Sequence, residues 1–382
     1  MIRKTGILAA AAAALLAAPA AAQQALKPDT PSILVWSPEQ QKAWYPAIET
    51  VYRVNTIKAG EAKPLPRAER MLPDALSDEY MARENVSGFL VLKDGKIIAE
   101  RYGLGRKPED RWTSFSVAKS VTSTLVGAAI ADGKIASVNA PVTDYIPELR
   151  GSGYDGVTVR QLLMMSSGVK WNEDYTDPNS DVARAGSAIL EPGVNPLVSY
   201  MRKLPRANEP GTRFTYNTGE TDLVGVLVSN AVGKSLSEYA SEKIWKPYGM
   251  ERDAIWVTDL AGHERGGCCI SMTLRDYGRL GQFLLDGGKA GDKQVVPPEF
   301  VREATTPQIT NGAPERGYGY FWWMPASGAF EGRGIFGQSV TVFPEDRLVI
   351  VLNAAWPEAT SRDRSIARTV FINAVRAAAR DF

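Results

Sequence analysis

The residues of this 382-residue chain best suited to chemistry are Ser116 and Lys119, three positions apart at the start of a predicted helix. Apolar residues recur every three or four positions from Val117 to Ala128, which predicts a helix over 122–132. Ser116 then lies at the helix start and Lys119 one turn further on the same face. Such an amine can take the hydroxyl proton if burial keeps it from being a solvated cation. The pair therefore predicts a serine nucleophile activated without histidine.

This spacing is weak evidence by itself, because about one serine–lysine pair of this kind is expected by chance. A second pair, Ser167 and Lys170, does occur, but Gly168 resembles a helix C-cap and would put Ser167 at the wrong helix end. The alternative for Ser116 is an ordinary helix N-cap, with Lys119 at the surface. Motifs further along the chain are needed to decide between the two interpretations.

Histidine and cysteine are scarce, which excludes several kinds of site. One histidine, His263, and two cysteines, Cys268 and Cys269, are too few for an ordinary zinc site. A Ser-His-Asp triad would have to use His263, which we interpret as incidental, and no G-x-S-x-G motif occurs. No phosphate-binding glycine loop follows a predicted strand, so we expect neither a metal nor a cofactor. The net charge of +1 gives no reason to expect nucleic acid as a partner.

The adjacent cysteines leave two interpretations open. In an oxidising compartment they can close a strained ring through a disulfide. They can instead be two small buried thiols after Gly266 and Gly267, and we favour this interpretation because strained rings of this kind are rare.

The first residues have the pattern of an export signal. Basic residues precede the apolar segment from Ile7 to Leu16, and small residues at 20–22 form a cleavage site. The apolar segment is too short to span a membrane comfortably. We therefore predict a signal peptide over 1–22, a periplasmic or secreted mature protein without a membrane span, and an N-terminal arm over 23–85.

Two β-hairpins are predicted, one on each side of a helical region. The tight-turn pair Asp94-Gly95 separates two apolar segments and predicts a hairpin over 88–100. A Pro-Glu-Asp turn predicts another hairpin over 338–353, and the aromatic stretch Tyr318 to Trp323 is expected to be a strand.

This order of elements predicts an α+β fold. We expect an antiparallel sheet formed by 86–112 and 251–382, flanked by helices and interrupted by a helical subdomain over 113–250. Ser361 is expected to cap the last helix. The predicted apolar side of that helix carries Ile366, Val370, Ile372 and Val375.

A polar loop with large aromatic residues lies at 171–178. It can be a surface loop pinned by Trp171, or it can be a lip over a cleft. We favour the surface loop, because most loops carry no function.

Two further stretches have features of a site. Tyr216 lies on a loop before a predicted helix, where a tyrosine is usually only a packed aromatic side chain. Gly334 and Gly337 lie at the start of the last hairpin. Glycines in such a position mark a turn or bulge, or allow a ligand to approach the backbone closely.

Together, Ser116-x-x-Lys119, Tyr216-x-Thr218 and the stretch from Gly334 to Gln338 resemble the three motifs of the penicillin-binding protein and class C β-lactamase superfamily. Their order and spacing match. The resemblance extends over nearly all of the mature chain and implies a β-lactamase/transpeptidase-like fold.

The sequence is most similar to the 6-aminohexanoate-dimer hydrolase branch, on the loop at 171–178 and the residues around Ser116. Family VIII carboxylesterases are a neighbouring alternative. The resemblance implies a serine hydrolase that cleaves a small-molecule amide or ester through an acyl-enzyme.

The resemblance also implies residue roles. Ser116 would attack the substrate carbonyl, and Lys119 and Tyr216 would share the proton transfers, with the identity of the base left open. The backbone N–H groups of Ser116 and Gln338 would form the oxyanion hole. Further contacts with the substrate are implied for Tyr175, Thr218, Ile335, Phe336 and Gly337.

The sequence departs from the family pattern at two motifs. Thr218 stands where β-lactam enzymes usually have asparagine, and Ile335 and Phe336 stand where they usually have a lysine or histidine. The missing cation removes a counter-ion for a β-lactam carboxylate, which argues against a class C β-lactamase or DD-peptidase. A less anionic amide or ester suits an apolar Ile335–Phe336 wall. A non-catalytic binding module stays open, although all three catalytic residue types are present.

Overall fold

The computed structural model describes residues 32–185, 193–312 and 317–382, so the predicted signal peptide lies outside the described residues. The α-helices are α1 Pro38–Trp44, α2 Ala75–Arg83, α3 Ala118–Ala131, α4 Val159–Leu163, α5 Asp181–Ala185, α6 Pro196–Met201, α7 Thr218–Val232, α8 Leu236–Ala240, α9 Lys246–Tyr248, α10 Leu274–Leu285, α11 Pro298–Ala304 and α12 Arg362–Ala378. Within the described ranges, none of the helices has the length and apolar character needed to cross a membrane.

The strands are β1 Val54–Ile57, β2 Val86–Lys93, β3 Lys96–Tyr102, β4 Trp112–Thr113, β5 Ala254–Val257, β6 Ile270–Met272, β7 Lys289–Ala290, β8 Lys293–Gln294, β9 Ile309–Thr310, β10 Gly317–Tyr318, β11 Trp323–Met324, β12 Phe330–Gly334, β13 Gln338–Phe343 and β14 Leu348–Ala354. An antiparallel sheet has the strand order β3-β2-β14-β13-β12-β11-β10-β9. Its strands come from both ends of the chain, as predicted.

Helices cover both faces of this large sheet. Leu90 of β2 belongs to the hydrophobic core beneath α10, whereas its neighbour Phe89 belongs to a second core beneath α12. In that second core Tyr80 of α2 stacks on Phe371 of α12, with ring centroids 3.9 Å apart. Because alternate residues of a strand point to opposite faces, β2 is apolar at almost every position.

Both predicted hairpins are confirmed. Strands β2 and β3 pair across a turn in which Asp94 and Gly95 both have positive φ angles, 50° and 73°. Two positive φ angles are the requirement of a type I′ turn, which explains the Asp-Gly pair. Strands β13 and β14 pair across residues 344–347.

A smaller antiparallel sheet has the order β1-β5-β6-β4. Strand β1 comes from the segment predicted as an N-terminal arm, and it pairs with β5 along its whole length. Strand β4 pairs with β6 immediately before the turn that carries Ser116, so this sheet fixes one approach to the site.

The region between the strands is helical. Capping boxes at Thr158 and Ser235 begin α4 and α8, and a left-handed Gly233 ends α7. Helix α3 packs against α7, and both are buried along most of their length. These two helices carry the Ser116–Lys119 and Tyr216–Thr218 motifs at their N-terminal ends.

Two predictions about local structure are wrong. The aromatic stretch from Tyr318 to Trp323 is not one strand, because a turn with a positive φ at Phe321 separates β10 from β11. On α12, Ile366 and Val370 face solvent, with exposed fractions of 54% and 63%. The buried side of this helix is formed instead by Arg368, Phe371, Ile372 and Val375.

The interpretation of the cysteines as two thiols is also wrong, because Cys268 and Cys269 form a disulfide. Cys269 has a positive φ of 71°, and its N–H donates to the carbonyl of Phe115 at 3.2 Å. The pair is thus attached to the backbone turn beside the predicted nucleophile.

We expect the purified, unreduced protein to release no thiol to Ellman's reagent in denaturant, and two thiols per chain after reduction. Both cysteines are in the disulfide, so none is free to react. Two reactive thiols in the unreduced, denatured protein would contradict the structure.

Candidate active site

Ser116 lies on a 3₁₀ turn, Phe115–Val117, directly before α3. Its neighbour Ser114 fixes this turn to β6, because the Ser114 N–H donates to Ile270 O at 2.8 Å and the Ile270 N–H donates to Ser114 Oγ at 3.0 Å. The turn is also packed against β12, where a Cβ on Gly334 would lie 2.4 Å from Ser114 O. Only glycine permits this approach, so the first glycine of the third motif places a strand against the nucleophile turn.

Lys119 is buried, with 1% of its surface exposed, and its amine is enclosed by oxygen atoms. Nζ donates to Ser116 Oγ at 3.1 Å, to Thr218 Oγ1 at 3.0 Å and to Gly267 O at 2.7 Å. These three acceptors match the three N–H donors of an ammonium group. The interpretation of Lys119 as a surface lysine is therefore wrong, and Ser116 does not cap α3 with its side chain.

Burial lowers the pKa of Lys119 to about 8, and the negative charges of Glu173 and Asp222 oppose this shift. A buried amine loses solvation of its charged form, which favours the neutral form. At pH 7 about a tenth of Lys119 is thus neutral and able to accept a proton from Ser116, and this fraction rises with pH.

The carbonyl of Gly267 is held in place by an acid on α7. The Gly267 N–H donates to Asp222 Oδ1 at 2.7 Å, and Asp222 forms an ion pair with Arg265 at 2.8 Å. A side chain at 267 is excluded, since a Cβ there would lie 2.8 Å from Thr218 Cγ2. Asp222 therefore fixes the position of an acceptor that Lys119 uses.

Tyr216 lies beside the Ser116 hydroxyl. Its ring stacks on Trp323 with centroids 5.4 Å apart, and Lys119 Nζ is 5.2 Å from its ring centroid. Burial raises the pKa of the Tyr216 phenol, and Glu173 raises it further, whereas a hydrogen bond with the Ser116 hydroxyl opposes the shift. The phenol stays protonated near neutral pH and is a donor beside Ser116.

The loop at 171–178 is part of the cleft wall, so the preferred interpretation as a surface loop is wrong. Glu173 and Tyr175 line the cleft beside Ser116. Glu173 Oε2 accepts the backbone N–H of Thr218 at 3.0 Å, and Oε1 accepts the Tyr175 hydroxyl at 2.8 Å. The carboxylate also accepts hydrogen bonds from the Thr218 hydroxyl and from the indole of Trp171.

The residues of the third motif lie partly in the cleft and partly in the hydrophobic core. Ile335 lines the cleft, whereas Phe336 is buried against Phe115 with ring centroids 5.1 Å apart. Gly337 is turned towards Trp356, since a Cβ there would lie 2.6 Å from its indole nitrogen. The expected contacts of Phe336 and Gly337 with the substrate are corrected accordingly: both residues support the wall from behind.

Gln338 follows as the first residue of β13, opposite Gly334 in β12. Its side-chain amide is fully used within the protein. Nε2 donates to Ala354 O at 2.7 Å and to Phe336 O at 3.0 Å, and Oε1 accepts the Ala354 N–H at 3.2 Å. The side chain therefore anchors the loop and leaves the backbone of Gln338 beside the Ser116 turn.

The cleft has a volume of about 340 Å³. Besides Ser116, Tyr216, Glu173, Tyr175 and Ile335, it is lined by Trp323, Arg333, Gly334, Trp356, Ala359, Thr360, Ser365 and Arg368. Sequence reasoning missed Glu173, Arg333 and Arg368. The composition of the loop was a signal for Glu173, but a single arginine in a strand or a helix, such as Arg333 or Arg368, gives none. In the described part of the chain, no three acidic, histidine or cysteine side chains are grouped so that they could hold a metal ion.

The family model described as "Beta-lactamase" matches residues 74–373. The chain belongs to the β-lactamase family. The chain is 34% identical to the 6-aminohexanoate-dimer hydrolase of Paenarthrobacter ureafaciens over 323 residues. The aligned region covers 80% of this chain and 81% of the relative. The chain is accordingly a serine hydrolase, and the predicted superfamily and fold are confirmed.

Solved structures show the same β-lactamase-family fold. A Bacillus anthracis protein with a provisional assignment as a 6-aminohexanoate-dimer hydrolase superposes with a TM-score of 0.75 at 25% identity, over 87% of this chain and 92% of that one. A provisionally assigned β-lactamase of Bacteroides dorei gives a TM-score of 0.62 at 23% identity, over 78% and 98% of the two chains.

We expect kcat/KM for a neutral ester such as p-nitrophenyl butyrate to rise with pH and level off above an apparent pKa of about 8. Below this pKa the protonated amine cannot accept the Ser116 proton, so the rate falls about tenfold per pH unit. The measurement is a pH–rate profile between about pH 6 and pH 9, corrected for spontaneous hydrolysis.

A matched control is available, because burial also raises the pKa of Glu220 to about 8. Glu220→Gln keeps the size of this buried side chain and should retain the same profile. A flat wild-type profile, or a profile that disappears in Glu220→Gln, would contradict the assignment to Lys119.

Proposed function

We propose that this hydrolase cleaves an amide bond through an acyl-enzyme on Ser116, as an enzyme similar to the 6-aminohexanoate-dimer hydrolases. The observation that carries the proposal is the buried contact of Lys119 Nζ with Ser116 Oγ at 3.1 Å. A lowered amine pKa and a hydroxyl within hydrogen-bond distance are the two requirements for activating a serine without histidine.

In the proposed acylation step, Ser116 Oγ attacks the substrate carbonyl carbon and Lys119 Nζ takes the hydroxyl proton. The tetrahedral intermediate collapses as Tyr216 gives its phenolic proton to the leaving nitrogen, and the proton held by Lys119 restores the phenol. The net transfer is one proton from Ser116 to the departing amine. Deacylation runs these transfers in reverse with water in place of the amine: water attacks the acyl carbon and gives up one proton, the bond to Ser116 Oγ breaks, and one proton returns to Oγ.

The assignment of Lys119 as base and Tyr216 as acid is supported by their opposite pKa shifts. Burial lowers the pKa of the amine and raises the pKa of the phenol, so the amine is the better acceptor and the phenol keeps its proton. Oppositely shifted neighbours of this kind mark the base and the acid of a site.

The backbone N–H groups of Ser116 and Gln338 are the proposed oxyanion hole. In support, β12 and β13 both contact the turn that carries Ser116. Removal of one such donor typically costs about 3 kcal/mol of transition-state stabilisation.

The substrate class rests on the relative from Paenarthrobacter ureafaciens, whose name gives a 6-aminohexanoate dimer as its substrate. Ester cleavage by the same residues is the alternative within this mechanism. Cleavage of a β-lactam is a further alternative, because Ile335 and Phe336 supply no cation at the third motif but Arg333 and Arg368 lie in the same cleft.

We expect Ser116→Ala to lower kcat/KM by about 10⁴-fold or more on every substrate that the wild type cleaves, since the nucleophile is lost. Substrates for the test are the linear dimer of 6-aminohexanoate, p-nitrophenyl butyrate and nitrocefin, with the highest kcat/KM expected for the amide. The matched control is Ser167→Ala, which removes the serine of the other S-x-x-K sequence and should leave the rate within about twofold. A fluorophosphonate probe should label the wild type and Ser167→Ala only.

Retained turnover in Ser116→Ala would overturn the assignment. Absence of probe labelling and of turnover in the folded wild type would favour a non-catalytic binding module instead. Preference for the ester or for nitrocefin would replace the proposed amide substrate and leave the mechanism in place.

We also propose that the protein is exported. The signal sequence predicted over 1–22 and the Cys268–Cys269 disulfide support this proposal, because disulfides persist mainly in oxidising compartments.

Expression of the whole chain in a Gram-negative host should give periplasmic protein that begins at Gln23, as judged by fractionation and intact mass. Leu15→Arg interrupts the apolar segment of the signal and should leave unprocessed protein in the cytoplasm. Cytoplasmic, full-length wild-type protein would refute export.

A further inference from the structure

Arg368 is a buried cation in the cleft wall, and no carboxylate among the described residues forms an ion pair with it. It belongs to α12, is 6% exposed, and lines the cleft that contains Ser116. Over the described ranges, no hydrogen bond or ion pair involves its guanidinium, which lies over the ring of Trp356 at 5.5 Å from the centroid. None of its side-chain nitrogen atoms is both fully buried and without a partner, so the guanidinium is accessible to solvent.

Arg333 lines the same cleft from β12, one residue before Gly334. It forms an ion pair with Glu331 and lies over the ring of Trp323 at 5.6 Å from the centroid. Glu331 also accepts the Thr341 hydroxyl at 3.1 Å, so this one carboxylate is already shared. Two guanidinium groups therefore face one carboxylate, and the group has one excess positive charge.

The excess charge persists at neutral pH. Burial and, to a smaller extent, the like charge of Arg333 lower the pKa of Arg368 to about 10, although the negative charge of Glu331 opposes both effects. The arginine nevertheless remains protonated. A buried cation without a partner raises the free energy of the folded protein. An anion that enters the cleft and pairs with this cation therefore binds favourably.

The negative and positive side chains of the cleft also lie in different walls. Glu173, beside Lys119 and Tyr175, is the acid of one wall, whereas Arg333 and Arg368 are in the wall formed by β12 and α12. Ser116 lies in the same cleft, so a substrate can place its reacting carbonyl at the serine and an anionic end at the arginines. Both arginines also border an adjoining groove of about 850 Å³, which leaves room for an extended chain.

We propose that Arg368, assisted by Arg333, binds a carboxylate of the substrate, so that the enzyme selects linear amides or esters that carry a free carboxylate. The proposal rests on the proposed function and specifies its substrate class. It replaces the expectation that an apolar wall suits a less anionic substrate: the third motif supplies no cation, but β12 and α12 do.

The test compares substrate pairs that differ only in this charge. On the amine side the pair is the 6-aminohexanoate dimer and its carboxamide. On the acyl side the pair is mono-p-nitrophenyl adipate and the p-nitrophenyl ester of its monoamide. Wild type should prefer the carboxylate member of at least one pair, and Arg368→Gln should lower kcat/KM for that member about 10- to 100-fold, mainly through KM.

The neutral members act as the control for folding and catalysis, because Arg368→Gln should lower kcat/KM far less for them than for the carboxylate members, so that the ratio of the two falls. Arg302→Gln removes an exposed arginine of α11 and controls for net charge, so its carboxylate preference should equal that of wild type. Arg368→Lys retains a cation and should recover part of the preference.

The proposal is overturned if wild type shows no preference in either pair, or if Arg368→Gln lowers both members of a pair equally. Failure of the proposed function gives a different result, namely no Ser116-dependent hydrolysis of the neutral members. If Arg368→Gln does not fold, the subsite is tested by inhibition of the wild-type enzyme. Adipate should compete with p-nitrophenyl butyrate, and uncharged adipamide should not. Equal inhibition by the two would refute the subsite.

Discussion

The arrangement of the site depends on keeping one amine out of water. Lys119 is surrounded by a hydroxyl of the nucleophile, a hydroxyl of α7 and the carbonyl of Gly267, and these neutral oxygens hydrogen bond its protons without adding a charge beside it. The shift of its pKa from 10.5 to about 8 corresponds to about 3 kcal/mol in favour of the neutral form. A carboxylate in direct contact would cancel much of this effect. Thr218 prevents that contact, because its hydroxyl lies between Lys119 and Glu173.

The same constraint explains the departure at the second motif. Thr218 donates to Glu173 and accepts from Lys119, so one hydroxyl connects the loop at 171–178 to the buried amine. The carboxylate is also held by the backbone N–H at the start of α7, where the helix dipole favours negative charge. Its field opposes the burial effect on Lys119 without forming an ion pair. The loop at 171–178 therefore helps to set the pKa of Lys119, in addition to forming part of the cleft wall.

Much of the fold could be predicted from the sequence, because local physical rules decide it. The Asp94-Gly95 turn, the capping boxes and Gly233 at the end of α7 each follow from the backbone geometry that their residues permit. The sequence did not predict correctly those side-chain positions that depend on contacts with distant parts of the chain. Whether Phe336 faces a cleft or a core depends on Phe115, more than 200 positions away in the sequence, and no local pattern separates the two.

The missed residues of the site have a similar cause. Arg368 lies on a helix whose buried side was misassigned, since periodicity gave four apolar positions and only two of them face inward. A helix that places a charged side chain in a cleft interrupts its own apolar pattern, and the exception is visible only in three dimensions. Functional residues are where such local rules are expected to fail.

The packing of Gly334 against the Ser116 turn also has a consequence for biosynthesis. The serine is made in the first third of the chain, but β12 and β13, which support it, belong to the last 53 residues. A growing polypeptide therefore carries its reactive hydroxyl without the backbone that completes the pocket. The complete site therefore requires that translation has passed β12 and β13.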